Sequence, residues 1–194
     1  MEVTSTGPWS DIIMCSFFIA SASSLTSGKP FYGSWNCLLN TMFPVDTMFE
    51  VVPQYFPPTI SSWDSVDFVI LLLIYVDSSP VFIVEVKPPS EFARNSKRQE
   101  ADSQMRQRFL DIAPELRIPV LHGVSAYGTK IAFYKYNKDA NILEPRRIAP
   151  DPETLTDTAS REWWCWDILE AGGAAKFRQI IDDVKRMCAE LEWK

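Results

Sequence analysis

An α/β fold with a mixed β-sheet flanked by helices is predicted by three observations. Apolar runs rich in β-branched residues alternate with amphipathic helical stretches. Pro and Gly punctuate these runs at short intervals. The chain has 194 residues, 46% apolar and 13% aromatic, which is material for one domain with a sizeable core. A single domain over 1–194 is expected, with its core at 31–136. Residues 1–30 would pack on that core, and 159–192 would form a carboxy-terminal helical extension.

The expected elements follow in order. Trp35, Leu38, Leu39, Met42 and Phe43 fall at helical spacing, predicting a helix from Phe31 to Phe43 that Pro44 ends. A strand is expected at Met48–Tyr55, stopped by Pro57-Pro58. Val66–Val76 is apolar on both pleat faces apart from Asp67, the pattern of a central, doubly covered strand. Asp77-Ser78-Ser79-Pro80 is a turn signal, and Val81–Lys87 is the returning strand, closed by Pro88-Pro89. A helix at Lys97–Ile112 buries Met105, Phe109 and Ile112. Strands Val120–Ala126 and Lys130–Tyr136 join through Tyr127-Gly128-Thr129. Pro145–Thr158 reads as a long connection. Phe177, Ile180, Ile181, Val184, Met187 (or Cys188) and Leu191 mark a last amphipathic helix, which Gly172-Gly173 separates from Trp163, Trp164 and Trp166. The core order is α-β-β-β-α-β-β.

The formal charge is −6, which opposes general polyanion binding. Its distribution is uneven. Residues 1–80 carry seven acids and only Lys29, whereas Arg94, Lys97, Arg98, Arg106 and Arg108 face only Glu100 and Asp102 within their own stretch. That stretch is the place where phosphates would be met, or else a solvated helix face. Four scattered cysteines form no CxxC pair, so neither a thiolate zinc site nor a dense disulfide framework is expected. A single histidine, His122, excludes His-rich zinc sites and two-histidine mechanisms. It sits in an apolar strand and is expected to be a packed or hydrogen-bonded core residue, unless a Ser or Cys beside it makes a hydrolase nucleophile.

No run approaches the roughly 18 uncharged apolar residues of a membrane span. Ile12–Leu25 has the look of a secretory leader, but Glu2 and Asp11 precede it with no Lys or Arg. A retained segment packed on the domain is expected, in an intracellular setting, cytoplasmic or nuclear, with secretion left open.

Asp67, Glu85 and Lys87 carry the chemical interest. Period-two geometry puts Val81, Ile83, Glu85 and Lys87 on one face of their strand. The face is apolar for two positions and then carries an acid and a base. Such charges must pair, bind a metal or face solvent. The hairpin tests whether Asp67 joins them. A four-residue loop at Asp77–Pro80 pairs residues whose numbers sum to 157, and Asp67 then falls on the opposite face. A sum of 156, from an odd-length loop or one bulge, sets Glu85 opposite Leu71, on the face of Asp67.

Asp67, followed eighteen residues later by Glu85-Val86-Lys87 within this element order, resembles the PD-(D/E)XK (restriction-endonuclease-like) nuclease superfamily over roughly 31–136. The resemblance implies a restriction-endonuclease-like fold and hydrolysis of phosphodiester bonds in nucleic acid, DNA or RNA. It implies that Asp67 and Glu85 bind Mg²⁺ or Mn²⁺ and that Lys87 positions or activates the attacking water. A glutamine on the following helix is implied as a helper, and Gln104 or Gln99 is so placed. Mg²⁺ suits carboxylate oxygens plus waters and a substrate phosphate. Arg94, Lys97, Arg98, Arg106 and Arg108 would neutralise flanking phosphates.

Val66 stands where the family has proline, and Phe31–Phe43 lacks the acid many active members supply there. Glu50 is the candidate replacement metal ligand. The gap also fits the other function class, a catalytically degenerate member acting as an interaction or effector protein. The tryptophan cluster is expected to pack the last helix rather than stack bases. The stripe Ile180, Ile181, Val184 and Leu191 is open to docking a partner subunit, as in a homodimer.

Overall fold

A computed structural model describes residues 7–23, 29–53, 70–149, 151, 153 and 156–193. The architecture is α/β, with a mixed, open, seven-stranded sheet flanked by four helices. Helix α1 spans Asp11–Ser23 and α2 spans Phe31–Met42. Strands β1 (Glu50–Pro53), β2 (Ile70–Val76) and β3 (Ser79–Lys87) form an antiparallel meander. Helix α3 (Asn95–Ile112) then crosses over to β4 (Val120–Tyr127), which lies parallel to β3. Strands β5 (Lys130–Asn137), β6 (Ile142–Glu144) and β7 (Trp166–Asp167) complete the sheet, and α4 (Ala171–Ala189) ends the regular structure. The sheet order is β1-β2-β3-β4-β5-β6, with β7 also on β5.

Two helical layers cover the sheet. On one face, Phe82 of β3 meets Phe43 of the α2 end and Phe177 of α4, with ring centroids 6.0 Å apart in both pairs. Trp35 of α2 packs edge-on against Phe17 of α1 at 5.6 Å, so the leader-like segment adds Ile13, Phe17 and Ala20 to this core. Helix α3 covers the other face. A side chain at Gly123 of β4 would strike Phe109 at 2.8 Å and Met105 at 3.0 Å, which is how closely that helix lies. The apolar stripe of α4 is spent inside the chain, since Ile180, Ile181 and Val184 are all buried. It is not a free docking face, which corrects that alternative.

The β2–β3 hairpin is tighter than expected. Its turn is only Asp77-Ser78, both at positive φ (47° and 61°), the geometry of a two-residue hairpin. Ser79 and Pro80 belong to the strand, pairing with Val76 and Tyr75. A bulge between Ile74 and Tyr75 then changes the register, so that Leu73 faces Ile83 and Leu71 faces Glu85. These pairs sum to 156.

Two short strands, β6 and β7, fall where only loops were expected, because two or three residues display no periodicity. Gly172 and Gly173 sit within the first turn of α4 rather than separating it from the tryptophans. The reason is contact: a Cβ on Gly173 would lie 2.0 Å from the carbonyl oxygen of Asp167. Gly173→Ala is therefore expected to destabilise the fold at or above the upper end of the about 1–3 kcal/mol typical of overpacking. Urea unfolding of the variant would measure it, and an unchanged midpoint would contradict this packing. Trp164 is buried against Tyr127 (5.6 Å) and Phe92 (6.5 Å), at the β4 end rather than under α4. It has no open face for a base.

Candidate functional site

Strand β3 carries Glu85 and Lys87 on the face covered by α3. Both are buried, at 0% and 4% exposure. Lys87 Nζ lies 3.3 Å from Glu85 Oε1. The same ammonium donates to Oε1 of Gln104 on α3. Gln104 in turn donates to Glu100 Oε1 at 3.3 Å, and Glu100 Oε2 pairs with Lys97 at 3.1 Å. A polar row thus runs from the buried lysine along one flank of α3 to the start of the helix.

The unusual group is the Glu85 carboxylate. Among the described residues neither of its oxygens finds a hydrogen-bond donor. Among the described residues its partner is the Lys87 ion pair. A fully enclosed carboxylate ordinarily recruits two or three donors, because leaving it bare in a low dielectric is costly. Two lone-pair-bearing oxygens without donors suit an electron-pair acceptor, that is, a cation. Ser125 adds to this. It is Glu85's neighbour on the parallel strand β4, fully buried, and its Oγ also lacks a hydrogen bond.

Of the expected residues, the structure brings together Glu85, Lys87 and Gln104. Gln99 is elsewhere, donating to the Thr156 carbonyl at 3.2 Å. Asp67 lies outside the described residues, although the observed register is the one its participation requires. Glu50 does not belong here. It is exposed and pairs with Tyr75, four positions along β2 from Leu71, about 13 Å from the Glu85 row. Among the described residues no group of three or more His, Cys, Asp or Glu side chains is placed to hold a metal.

The basic stretch needs a second correction. Arg98 is completely buried and binds the Phe92 and Ala159 carbonyls, Asn95 and Asp157. Arg106 is held by Asp102 at 2.7 Å and the Pro145 carbonyl at 2.7 Å. Asp102, which reads as a surface acid, is buried and also accepts from the Tyr134 hydroxyl at 3.0 Å. These arginines anchor the long connection to α3, so neither is free to meet phosphate. Arg94 is exposed at the start of the helix, and Lys97 is half-buried beside Glu91 and Glu100. Arg108 is half-buried, and its Nε and one terminal nitrogen make no hydrogen bond. It sits one turn beyond Gln104.

His122 lies on the opposite sheet face, in a cleft of about 640 Å³ between β4, β5 and α4. Its Nε2 donates to Asp183 at 2.9 Å. No Ser or Cys lines that cleft, so a nucleophile built on this ring has no partner there. Burial lowers the imidazole pKa below 6.5, and the Asp183 contact only partly opposes it. Burial alone would raise Asp183, but hydrogen bonds from Arg186 and His122 outweigh it and hold the carboxyl below its usual range. For His122 the sign is clear: the unfolded chain takes up a proton near pH 6.5 and the folded chain only lower. Its contribution is complete above about pH 6.5 and is lost as pH falls through the folded value. Unfolding free energy of His122→Gln should therefore decline less than wild type between pH 7 and 5. Parallel profiles would contradict this.

Comparison with known proteins returns no match: no family model, no curated protein and no solved structure aligns significantly with this chain. No helix among the described residues is long and apolar enough to cross a membrane.

Proposed function

We propose that this chain is a metal-dependent nuclease of the PD-(D/E)XK type, hydrolysing phosphodiester bonds of nucleic acid with Mg²⁺ or Mn²⁺. The observation that carries the reading is the enclosed Glu85 carboxylate, bare of hydrogen-bond donors, beside an ammonium that Gln104 orients. The meander, the parallel β3–β4 step and the bulge-corrected register support a restriction-endonuclease-like core.

In this reading Glu85, with Asp67, holds the cation. A bound divalent ion would supply Lewis acidity toward the scissile phosphate and its attacking water. The chain's own part is positioning. Lys87 has three N–H donors; one goes to Gln104, and the ammonium pairs with Glu85 by charge alone at 3.3 Å. The remaining donors are left for the attacking water or a phosphate oxygen, where charge develops in the transition state. Arg108 would contribute a cationic contact one turn along α3.

The competing reading, a degenerate interaction protein on the same scaffold, is favoured by one observation: Arg98 and Arg106 are consumed internally, leaving little positive surface on α3. Incubation of the protein with mixed DNA and RNA under Mg²⁺, Mn²⁺ or EDTA decides between them. Cleavage that needs the metal and disappears in Asp67→Ala is the expected result. No cleavage under any condition, together with no calorimetric Mn²⁺ binding, would establish the degenerate reading.

A further inference from the structure

We propose that Ser125 lends its Oγ as a neutral oxygen ligand to the cation held by Glu85. The inference rests on the cation reading of Glu85 and adds a residue to it.

The placement follows from strand parity. Gly123, Ser125 and Tyr127 share one face of β4. That face meets α3, because Gly123 lies under Phe109 and Met105, and the Tyr127 hydroxyl donates to the Lys97 carbonyl at 2.9 Å. Glu85 is the residue directly beside Ser125 on β3, and its side chain points to the same face, as the Lys87–Gln104 bond shows. Neighbouring strands are about 4.8 Å apart. Two fully buried oxygen-bearing side chains thus sit side by side, facing one helix, and neither has a hydrogen bond among the described residues.

A buried serine normally settles its hydroxyl on a nearby carbonyl, because the rotor is free to turn. Donation to the adjacent carboxylate would also relieve Glu85, and that bond is not made either. What both groups have in common is unused lone pairs. One hard cation satisfies both at once, and a hydroxyl oxygen is a fitting neutral companion to a carboxylate.

The test is Mn²⁺ and Cd²⁺ titration by calorimetry, in a background with Cys15, Cys37 and Cys165 replaced by Ser so that other thiols do not bind cadmium. Ser125→Ala should weaken Mn²⁺ binding about tenfold. It should not cost stability, since the hydroxyl it removes has no hydrogen bond. Ser125→Cys, which keeps the side chain's reach but offers a soft donor, should gain Cd²⁺ affinity about tenfold over the parent and show a thiolate-to-metal ultraviolet band. Unchanged Mn²⁺ affinity in Ser125→Ala, or no cadmium gain in Ser125→Cys, overturns the assignment while Glu85→Gln still abolishes binding. Failure of the parent to bind Mn²⁺, or equal binding by Glu85→Gln, overturns the cation reading of the whole site and this inference with it.

Discussion

Lys87→Met is expected to reduce metal-dependent cleavage about 10²–10³-fold, the cost of losing one pre-oriented donor at a developing oxyanion, or about 3–4 kcal/mol of barrier. Methionine keeps the unbranched stem in its buried slot and removes only the ammonium. Glu85 remains, so Mn²⁺ binding should persist and even tighten, because the competing positive charge 3.3 Å away is gone. Glu85→Gln should lose both binding and cleavage. Gln104→Leu should cost less than Lys87→Met, since the lysine loses its orienting acceptor but keeps its charge. Single-turnover rates beside calorimetry separate these cases. Wild-type rates in Lys87→Met would remove the lysine from the chemistry.

The largest effect on stability is expected at Arg98. Its guanidinium is fully enclosed, with Nε on the Ala159 carbonyl at 3.1 Å and Nη1 on the Phe92 carbonyl at 2.9 Å. Nη2 serves Asn95 at 2.6 Å and also Asp157. One side chain thereby fastens the segment entering α3 to the connection that returns some sixty residues later. Arg98→Met strands two buried carbonyls and the Asp157 charge, a loss of about 3–5 kcal/mol. Arg98→Lys should recover little, because a point donor does not span three directions. The shift appears as a lower urea midpoint at constant slope. An unchanged midpoint would show that the connection is held by something else.

Both residues explain what the sequence could and could not disclose. Lys87 was legible because a charge at the end of an apolar face violates the pattern of its strand, and violations of pattern mark sites. Helices and strands were legible because periodicity and Pro or Gly breakers are local signals, as at Trp35, Leu38 and Leu39 before Pro44. The hairpin left two registers open, and parity alone named the bulge that would choose between them. Arg98 was misread. One arginine among five basic residues in a polar stretch has the composition of a solvated face, and its burial depends on acceptors at 157 and 159 that only the folded chain brings near. Ser125 was invisible for the same reason, since its significance comes from its cross-strand neighbour. Its only local trace is a small hydroxyl between Val124 and Ala126. Glu50 was proposed as the stand-in for the acid that Phe31–Phe43 lacks, and the antiparallel pairing carries it to the far end of β2 from Leu71.

The bulge at Ile74/Tyr75 has a bearing on how this chain can drift. With a turn of two residues, the count of residues between Leu71 and Glu85 decides which half of β2 looks toward α3. Substitutions at Asp77 and Ser78 leave that count alone, and residues that accept positive φ, such as Asn and Gly, keep the turn as it is. A lone insertion or deletion there exchanges inside for outside along β2, and only a second, compensating length change restores it. Descendants of this chain should therefore keep the hairpin's length fixed and hold residues that tolerate positive φ at 77 and 78.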